Sequence, residues 1–312
     1  MSLTRLLGPL AAIPVVLAAI LSGTTPAASA ATGPCGSLSG APTGYAHVVV
    51  VMDENLSYAA FQATSKAPYL HGLRDACGSE GAMRAATHPS QPNYMAATSG
   101  AATLLGRHTG NDNIFAQAEQ AGDTWRSYEE GMSGSCSANG QHYKPGHNPA
   151  FYYTDLASTC ADFDVPLSPA LDADIAGDSL PTFAWITPNL CNDVHYEAGC
   201  PAGGRIAAGD NWLKNLIPRL TAMPSYVAGR TLIVVTFDEG NGPATSGIDC
   251  TVAAEASCRI ATIVISPYIA PGAVDASAQS LYSLLATSED ILGYPRLNRA
   301  VGRPSMRSGL GF

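Results

Sequence analysis

The chain has 312 residues and a formal net charge of −9, and its residues are 46% hydrophobic but only 13% charged. Disordered chains show the opposite balance, so intrinsic disorder is excluded. Nucleic-acid-binding proteins usually present a basic surface. Because 25 acidic residues outnumber 16 basic ones, we expect a compact domain with an apolar core and no nucleic-acid partner.

The first 30 residues have the features of a secretory signal peptide. Arg5 precedes an apolar run over residues 6–21, and Ala28-Ser29-Ala30 ends the segment. A basic start, a short apolar middle and an A-x-A end are typical of such peptides. The run is shorter than the roughly 20 residues that a membrane-spanning helix needs. We therefore predict a signal peptide over 1–30, a single domain over 31–312, secretion, and no transmembrane segment in the mature protein.

Strands and helices alternate along the rest of the chain. The first strand is an unbroken β-branched run, AHVVVVM, typical of a strand buried on both faces of a parallel sheet. This alternation predicts an α/β fold, a three-layer α/β/α sandwich with a mainly parallel central sheet. In chain order we expect strands over 46–52, 81–86, 182–186, 230–237 and 261–266, helices over 67–77, 94–99, 211–222 and 281–292, a strand or helix near 124–130, and loops in the rest of 106–160.

Eight cysteines agree with an oxidising compartment. An even number of cysteines in an exported chain predicts disulfide bonds. We expect neighbours along the chain to pair, Cys35 with Cys77, Cys136 with Cys160, Cys191 with Cys200, and Cys250 with Cys258.

Three of the predicted strands end in polar clusters. Asp53-Glu54-Asn55 follows the first strand, Thr187-Pro188-Asn189 follows 182–186 with Asp193 and His195 beyond it, and Asp238-Glu239-Gly240 follows 230–237. In open α/β sheets, ligands bind outside the carboxyl ends of the strands. Two acidic pairs at one sheet edge repel each other, and a divalent cation relieves this repulsion. The oxygen ligands favour Ca²⁺, Mg²⁺ or Mn²⁺, although Zn²⁺ also accepts carboxylates.

Ser90 is the candidate nucleophile. It lies in Thr87-His88-Pro89-Ser90-Gln91-Pro92-Asn93, directly before a predicted helix. The N-terminal amides of a helix favour an incoming phosphate or oxyanion. A serine needs a base or a metal to become a good nucleophile. The competing interpretation is a serine that only caps the helix.

Four segments together resemble the phosphoesterase family of bacterial acid phosphatases and phospholipases C, which belongs to the alkaline phosphatase superfamily. They are VVVVMDENLSY over 48–58, THPSQPNY over 87–94, KPGHNP over 144–149 and TFDEG over 236–240. The resemblance extends from about Ala46 to Pro295. It implies an alkaline-phosphatase-like fold and a secreted, metal-dependent hydrolase of phosphoric esters.

The resemblance also implies a role for particular residues. Ser90 would attack the phosphorus and form a phosphoseryl intermediate, while the side chains of Asn55 and Asn93 stabilise the transferring oxygens. His147 or His195 would protonate the leaving alcohol, and His88 either touches the phosphate or shapes the turn. One divalent metal ion would be held by Glu54, Asn55, Asp238 and Glu239. A single ion is favoured because Asn189 and Leu281 stand where two-metal members carry further ligands.

Two questions stay open at this level. The substrate is either a small phosphomonoester, as for an acid phosphatase, or a diester such as a phospholipid head group, as for a phospholipase C. A different class of protein, a noncatalytic extracellular binding module that retains the fold, is the alternative. A sulfatase-like enzyme is disfavoured because the chain has no Cys-x-Pro-x-Arg.

Overall fold

The computed structural model describes residues 1–2, 33–40, 42, 44–102, 112–195 and 197–312. Almost all of the predicted signal peptide lies outside these described residues. The part of the chain from Gly33 to Phe312 belongs to one compact unit. None of the helices in the described residues is long and apolar enough to cross a membrane.

A central sheet of eight strands organises the molecule, in the order β5-β4-β6-β1-β7-β8-β2-β9, and β3 pairs with β10 in a small second sheet. The strands are β1 (His47–Asp53), β2 (Gly78–Glu80), β3 (Met83–Arg84), β4 (Trp125–Glu129), β5 (Asp164–Pro166), β6 (Phe183–Thr187), β7 (Thr231–Phe237), β8 (Thr262–Ile265), β9 (Ala273–Asp275) and β10 (Gln279–Ser280).

The predicted first strand lies in the middle of this sheet. β1 pairs in parallel with β6 on one side and β7 on the other, and Val50 lies opposite both Trp185 and Val234. The side chains of 48–52 are at most 1% exposed, as expected for a strand that is covered on both faces. β8 runs antiparallel to β7 and to β2. The predicted α/β sandwich with a mainly parallel sheet is therefore confirmed.

Helices cover the sheet and pack against one another. α2 contacts α8, and α3 contacts α10, which leaves every residue of α3 buried. The helices are α1 (Tyr58–Ala63), α2 (Pro68–Ala76), α3 (Gln91–Ser99), α4 (Ile114–Ala121), α5 (Pro149–Tyr152), α6 (Cys160–Phe163), α7 (Leu167–Gly177), α8 (Arg205–Thr221), α9 (Pro224–Val227), α10 (Leu281–Leu292) and α11 (Arg307–Leu310).

The structure differs from the predicted elements in its middle. The segment 106–160 contains α4 and short helical turns where we predicted loops, and β5 and α7 follow it without a clear sequence signal. α8 begins at Arg205, six residues before the predicted start at residue 211. The prediction began too late because the apolar stripe of this helix becomes regular only from Trp212 onward. The four disulfides join the cysteines that we predicted to pair.

Candidate active site

The ends of parallel strands bring acidic residues together at one edge of the sheet. β1 ends at Asp53, and Asp238 follows β7 directly. The N–H of Glu54 donates to the carbonyl of Asp193 at 2.7 Å, and the N–H of Asp238 donates to the carbonyl of Asp53 at 3.0 Å. These backbone bonds hold the strand ends in fixed positions, so residues far apart in sequence meet here.

Ser90 lies beside this acidic edge, at the start of α3. Its backbone is already helical, with φ −49° and ψ −58°, and its side chain makes no capping hydrogen bond in the described part of α3. Instead its Oγ donates to Oε2 of Glu54 at 3.0 Å. Helix capping therefore does not account for this serine.

A pocket of about 480 Å³ opens next to the Ser90 hydroxyl. It brings together three residues that we predicted to be catalytic, Ser90, His147 and His195. The remaining wall is formed by Pro89, Gln91, Lys144, Pro145, Gly146 and Tyr152.

Four carboxylates at the sheet edge, Asp53, Glu54, Asp193 and Asp238, are completely buried. Both oxygens of Asp53 and the Oδ2 atoms of Asp193 and Asp238 have no hydrogen-bond partner among the residues that the structure describes. Burial raises the pKa of all four carboxyls, and the repulsion among them adds to the rise for Asp53 and Glu54.

Such a group of buried carboxylates needs positive charge if it is to be ionised. A hard divalent cation accepts several carboxylate oxygens at once and neutralises their charge. We call these four residues the acidic cluster. Asp53, Asp193 and Asp238 offer unpartnered oxygens that fit a divalent metal ion, while the oxygens of Glu54 accept hydrogen bonds from Asn55, Ser90 and Tyr94.

His147 contacts the acidic cluster from the pocket side. Its Nε2 lies 3.2 Å from Oε1 of Glu54, and its Nδ1 lies 3.6 Å from Oδ2 of Asp193. The ring stacks on Tyr94 with 5.3 Å between ring centres. Burial lowers the pKa of His147 to about 3, so the ring is neutral near pH 7. A neutral imidazole is suited to metal ligation or hydrogen bonding and is a poor acid for a leaving group.

His195 occupies a different position. Its side chain is exposed and lines the pocket, with its ring centre 6.1 Å from that of His147. Its backbone N–H donates to Oδ1 of Asp193 at 2.7 Å, which ties the loop to the acidic cluster. Of the two predicted histidines, His195 is therefore the exposed one and His147 the buried one.

Asn55 joins two members of the acidic cluster. Its backbone N–H donates to Oδ1 of Asp238 at 3.1 Å, and its side-chain Nδ2 donates to Oε2 of Glu54 at 2.8 Å. Its φ of 52° lies in the left-handed region, which Asn tolerates better than most residues. The structure thus places Asn55 at the site where the resemblance suggested it.

Glu239 and His88 are paired with each other rather than directed into the pocket. Oε2 of Glu239 lies 2.6 Å from Nδ1 of His88, and both residues are buried. Nε2 of His88 faces the Ser257 hydroxyl at 3.2 Å. Neither residue lines the pocket. The pairing supports the turn before Ser90, which is one of the two roles considered for His88, while the metal-binding role of Glu239 stays a prediction.

The side-chain amide of Asn93 bonds to the loop before Ser90. Its Oδ1 accepts from the N–H groups of Ala86 and Thr87 at 2.8 and 3.0 Å, and its Nδ2 donates to the carbonyls of Thr87 and Pro89 at 2.9 and 3.4 Å. With the side chain completely buried, its amide is used up in holding the loop before Ser90. It holds the backbone before Ser90 and does not line the pocket.

Asp53 and Asp193 belong to the acidic cluster but not to the metal-binding set that we predicted. The signal was present in the sequence, because each follows a central strand within a polar cluster. Adjacent acidic residues on one strand end point in different directions, and only the fold shows which of them face the shared edge.

Three groups of possible ligand atoms in the described residues lie within 4.8 Å of one another. They do not include the acidic cluster, and each contains disulfide sulfurs, which are not free thiolates. They are His88 with Cys250 and Cys258, His142 with Cys191 and Cys200, and Asp164 with Cys136 and Cys160.

Comparison with known proteins identifies relatives over most of the chain. The model of the Phosphoesterase family matches residues 64–295. A phosphatidylinositol-3-phosphatase from Mycobacterium tuberculosis is 30% identical over 97% of this chain and 94% of its own length. An acid phosphatase from Aspergillus fumigatus is 28% identical over 69% of this chain, which spans about half (48%) of that relative.

Solved structures show the same fold. A protein of the alkaline phosphatase superfamily from Vibrio parahaemolyticus superposes with a TM-score of 0.60 and 14% identity, over 86% of this chain and 74% of that one. A phosphonate monoester hydrolase from Silicibacter pomeroyi gives a TM-score of 0.53 and 16% identity, over 86% and 76% of the two chains. The predicted alkaline-phosphatase-like architecture is confirmed.

Proposed function

The chain belongs to the Phosphoesterase family, and from this premise we propose that it is a secreted, metal-dependent phosphomonoesterase with Ser90 as its nucleophile. Hydrolysis of phosphate esters follows from the family and from the phosphatases among its relatives, which sets aside the noncatalytic alternative. The four disulfides are consistent with an extracellular location.

One observation carries the assignment of the nucleophile. The Ser90 hydroxyl lies 3.0 Å from Glu54, between an open pocket and four buried carboxylates that need a cation. Asp53, Glu54, Asp193 and Asp238 would hold one divalent ion, with Asn55 and His147 beside them. A bound divalent ion lowers the pKa of a nearby hydroxyl and polarises phosphoryl oxygens.

The reaction proposed for this site has two steps. In the first, Oγ of Ser90 loses its proton towards Glu54 and attacks the phosphorus in line, while the bond to the leaving oxygen breaks and His195 supplies a proton to the alcohol. The N–H of Gln91 at the start of α3 would stabilise charge on the transferring group, since Pro92 has no N–H and the N–H of Asn93 donates to the carbonyl of Ser90. In the second step, His195 takes a proton from the water that attacks the phosphoseryl group, the bond to Oγ breaks, and Glu54 returns its proton to Ser90, so that inorganic phosphate is released.

A monoester substrate is supported by the lysine in the pocket wall. A monoester carries one more negative charge than a diester, and Lys144 lies at the rim beside the space for the substrate. The relatives named as phosphatases support the same choice. Because the mycobacterial relative is a phosphatidylinositol-3-phosphatase, phosphorylated inositol lipids belong among the test substrates.

The test compares three substrate types with and without EDTA. We expect EDTA-sensitive turnover of p-nitrophenyl phosphate and of phosphatidylinositol 3-phosphate, with much slower turnover of bis-p-nitrophenyl phosphate. Acid quenching during turnover followed by peptide mass spectrometry should find phosphate on Ser90. Faster cleavage of the diester would favour the phospholipase C class, and phosphate on another residue would exclude Ser90 as the nucleophile.

A further inference from the structure

Two residues with left-handed backbone lie directly behind the acidic cluster. Asn55, with φ 52°, follows Glu54, and Val194, with φ 72°, follows Asp193. Asn adopts this conformation fairly often, whereas for a β-branched residue it is a genuine outlier. Such backbone persists only where the surrounding structure holds it. The positions of Glu54 and Asp193 therefore depend on whatever fixes the residue after each of them.

One side chain reaches both of these residues. Nη1 of Arg205 donates to the carbonyl of Asn55 at 3.0 Å and to the carbonyl of Val194 at 3.1 Å. Arg205 is the first residue of α8 and is partly buried. A charged donor makes stronger hydrogen bonds to carbonyls than a neutral donor does. The guanidinium therefore joins the end of β1 to the loop after β6.

The rest of the first turns of α8 supports the same loop. A Cβ atom placed on Gly209 would lie 2.5 Å from Cγ2 of Val194 and 3.0 Å from the carbonyl oxygen of Asn192. Helix α8 thus packs directly on the backbone that carries Asp193. Arg205 lies at the end of this contact, where it also reaches Asn55.

From this arrangement we infer that Arg205 is a positioning residue for the metal-binding carboxylates. By holding the carbonyls of Asn55 and Val194, it sets the spacing between Glu54 and Asp193 without touching substrate or metal. The inference rests on the proposed function, because it assigns Arg205 a role in the same site. It adds a residue that lies about 150 positions from Glu54 in sequence and outside every motif that we identified.

The experiment compares Arg205→Met, Arg205→Lys and a matched control, Arg219→Met, from the other end of α8. The Arg219 side chain is 45% exposed and pairs with Asp172, so its loss should leave the site unchanged. Calorimetry measures the Mn²⁺ affinity of each variant, and steady-state kinetics with p-nitrophenyl phosphate give kcat and KM. Amide hydrogen exchange is measured in metal-free protein for the peptides that contain Glu54 and His195.

We expect Arg205→Met to weaken Mn²⁺ binding and lower kcat by about tenfold or more, as for other residues that orient metal ligands, with KM changed less than about twofold. Exchange at Glu54 and His195 should become faster, and Arg205→Lys should recover part of each effect. If Arg205→Met only lowers the melting temperature, with Mn²⁺ affinity, kcat and local exchange like those of Arg219→Met, the inference is wrong. If the wild type itself neither binds Mn²⁺ nor hydrolyses the ester, the proposed function fails, and the exchange data alone then decide whether Arg205 holds the two strand ends.

Discussion

The ionised form of Asp53 is unfavourable in the metal-free fold but is the form that the proposed metal ligation requires. Both carboxylate oxygens are buried and have no partner in the described structure. Burial raises the pKa of this carboxyl, and Asp193 adds to the rise. Because the folded-state pKa lies above the usual value, ionised Asp53 destabilises the metal-free fold as the pH rises. A bound cation would reverse that sign.

This conflict predicts that Asp53→Asn raises the melting temperature of the metal-free protein at pH 7. Saturating Mn²⁺ should raise the melting temperature of the wild type, and it should raise that of Asp53→Asn by less. The reason is that stabilisation by a ligand depends on its affinity. Thermal unfolding with EDTA and with Mn²⁺ measures both effects. Asp172→Asn at the surface is the control. A lower melting temperature in EDTA would show that Asp53 is not under electrostatic strain.

For Ser90→Ala we expect kcat to fall by several orders of magnitude, about the loss seen when a catalytic nucleophile is removed. Its folding should be unaffected, because the partly exposed hydroxyl makes no capping bond in the described part of α3. Steady-state kinetics and circular dichroism make the comparison. Ser99→Ala, at the other end of the same helix, is the control, since its Oγ donates to the carbonyl of Met95 and accepts from the N–H of Ala101, and it does not line the pocket. Near-wild-type kcat would exclude Ser90.

At the residue scale, the sequence predicts which residues reach the site better than what each side chain does there. Glu54 and Ser90 are brought within hydrogen-bond distance, because strand ends and helix starts have predictable positions in an α/β fold. Glu239 and Asn93 turn to other partners. Their directions depend on loop dihedral angles, which no residue pattern in this chain specifies.

Two glycines that lie within helices have different surroundings. Gly209 in α8 faces Val194 so closely that a methyl group does not fit, whereas Gly72 in α2 has open space within 4 Å. Alanine is favoured over glycine by about 1 kcal/mol in a helix interior when nothing clashes. The same substitution should therefore have opposite effects at the two positions.

We predict that Gly72→Ala raises the free energy of unfolding by about 0.5–1 kcal/mol and leaves kcat unchanged. Gly209→Ala should lower the free energy of unfolding and also kcat, because α8 must move away from the loop that carries Asp193. Urea unfolding and steady-state kinetics give the two values for each variant. Equal behaviour of the two variants would contradict the close packing at Val194.

Among the elements, the long apolar segments were predicted most accurately. α10 has its predicted bounds, while β8 turned out antiparallel to its neighbours. A strand buried on both faces has the same residue pattern in either direction, so its direction could not be read. The first turns of α8 were missed for a related reason, because their packing uses small residues and an arginine instead of an apolar stripe.

On the scale of the whole molecule, two buried carboxyls away from the pocket affect stability. Burial raises the pKa of Glu80 in β2 and of Glu289 in α10 to about 8, from a usual value of 4.5. Between pH 4.5 and about pH 8, these two carboxyls keep their protons in the folded protein but have lost them in the unfolded chain. The free energy of unfolding should therefore fall as the pH rises through this window.

Urea unfolding from pH 5 to pH 8 in EDTA tests this dependence. Glu80→Gln and Glu289→Gln should each make the decline shallower, because an amide carries no proton to lose. Asp162→Asn, at an exposed position, should leave the slope unchanged. A wild-type stability that rises over this range would mean that other groups dominate the pH response.

The four disulfides follow one another along the chain without nesting or crossing. They span 42, 24, 9 and 8 positions, and each closes before the next one starts. Suppose that the chain is oxidised while it is exported with its amino-terminal end first. The second cysteine of each pair then finds its correct partner directly, because that partner is the most recently exposed thiol that is still unpaired. Correct connectivity is then the kinetically simplest outcome, and it does not require a later exchange of partners.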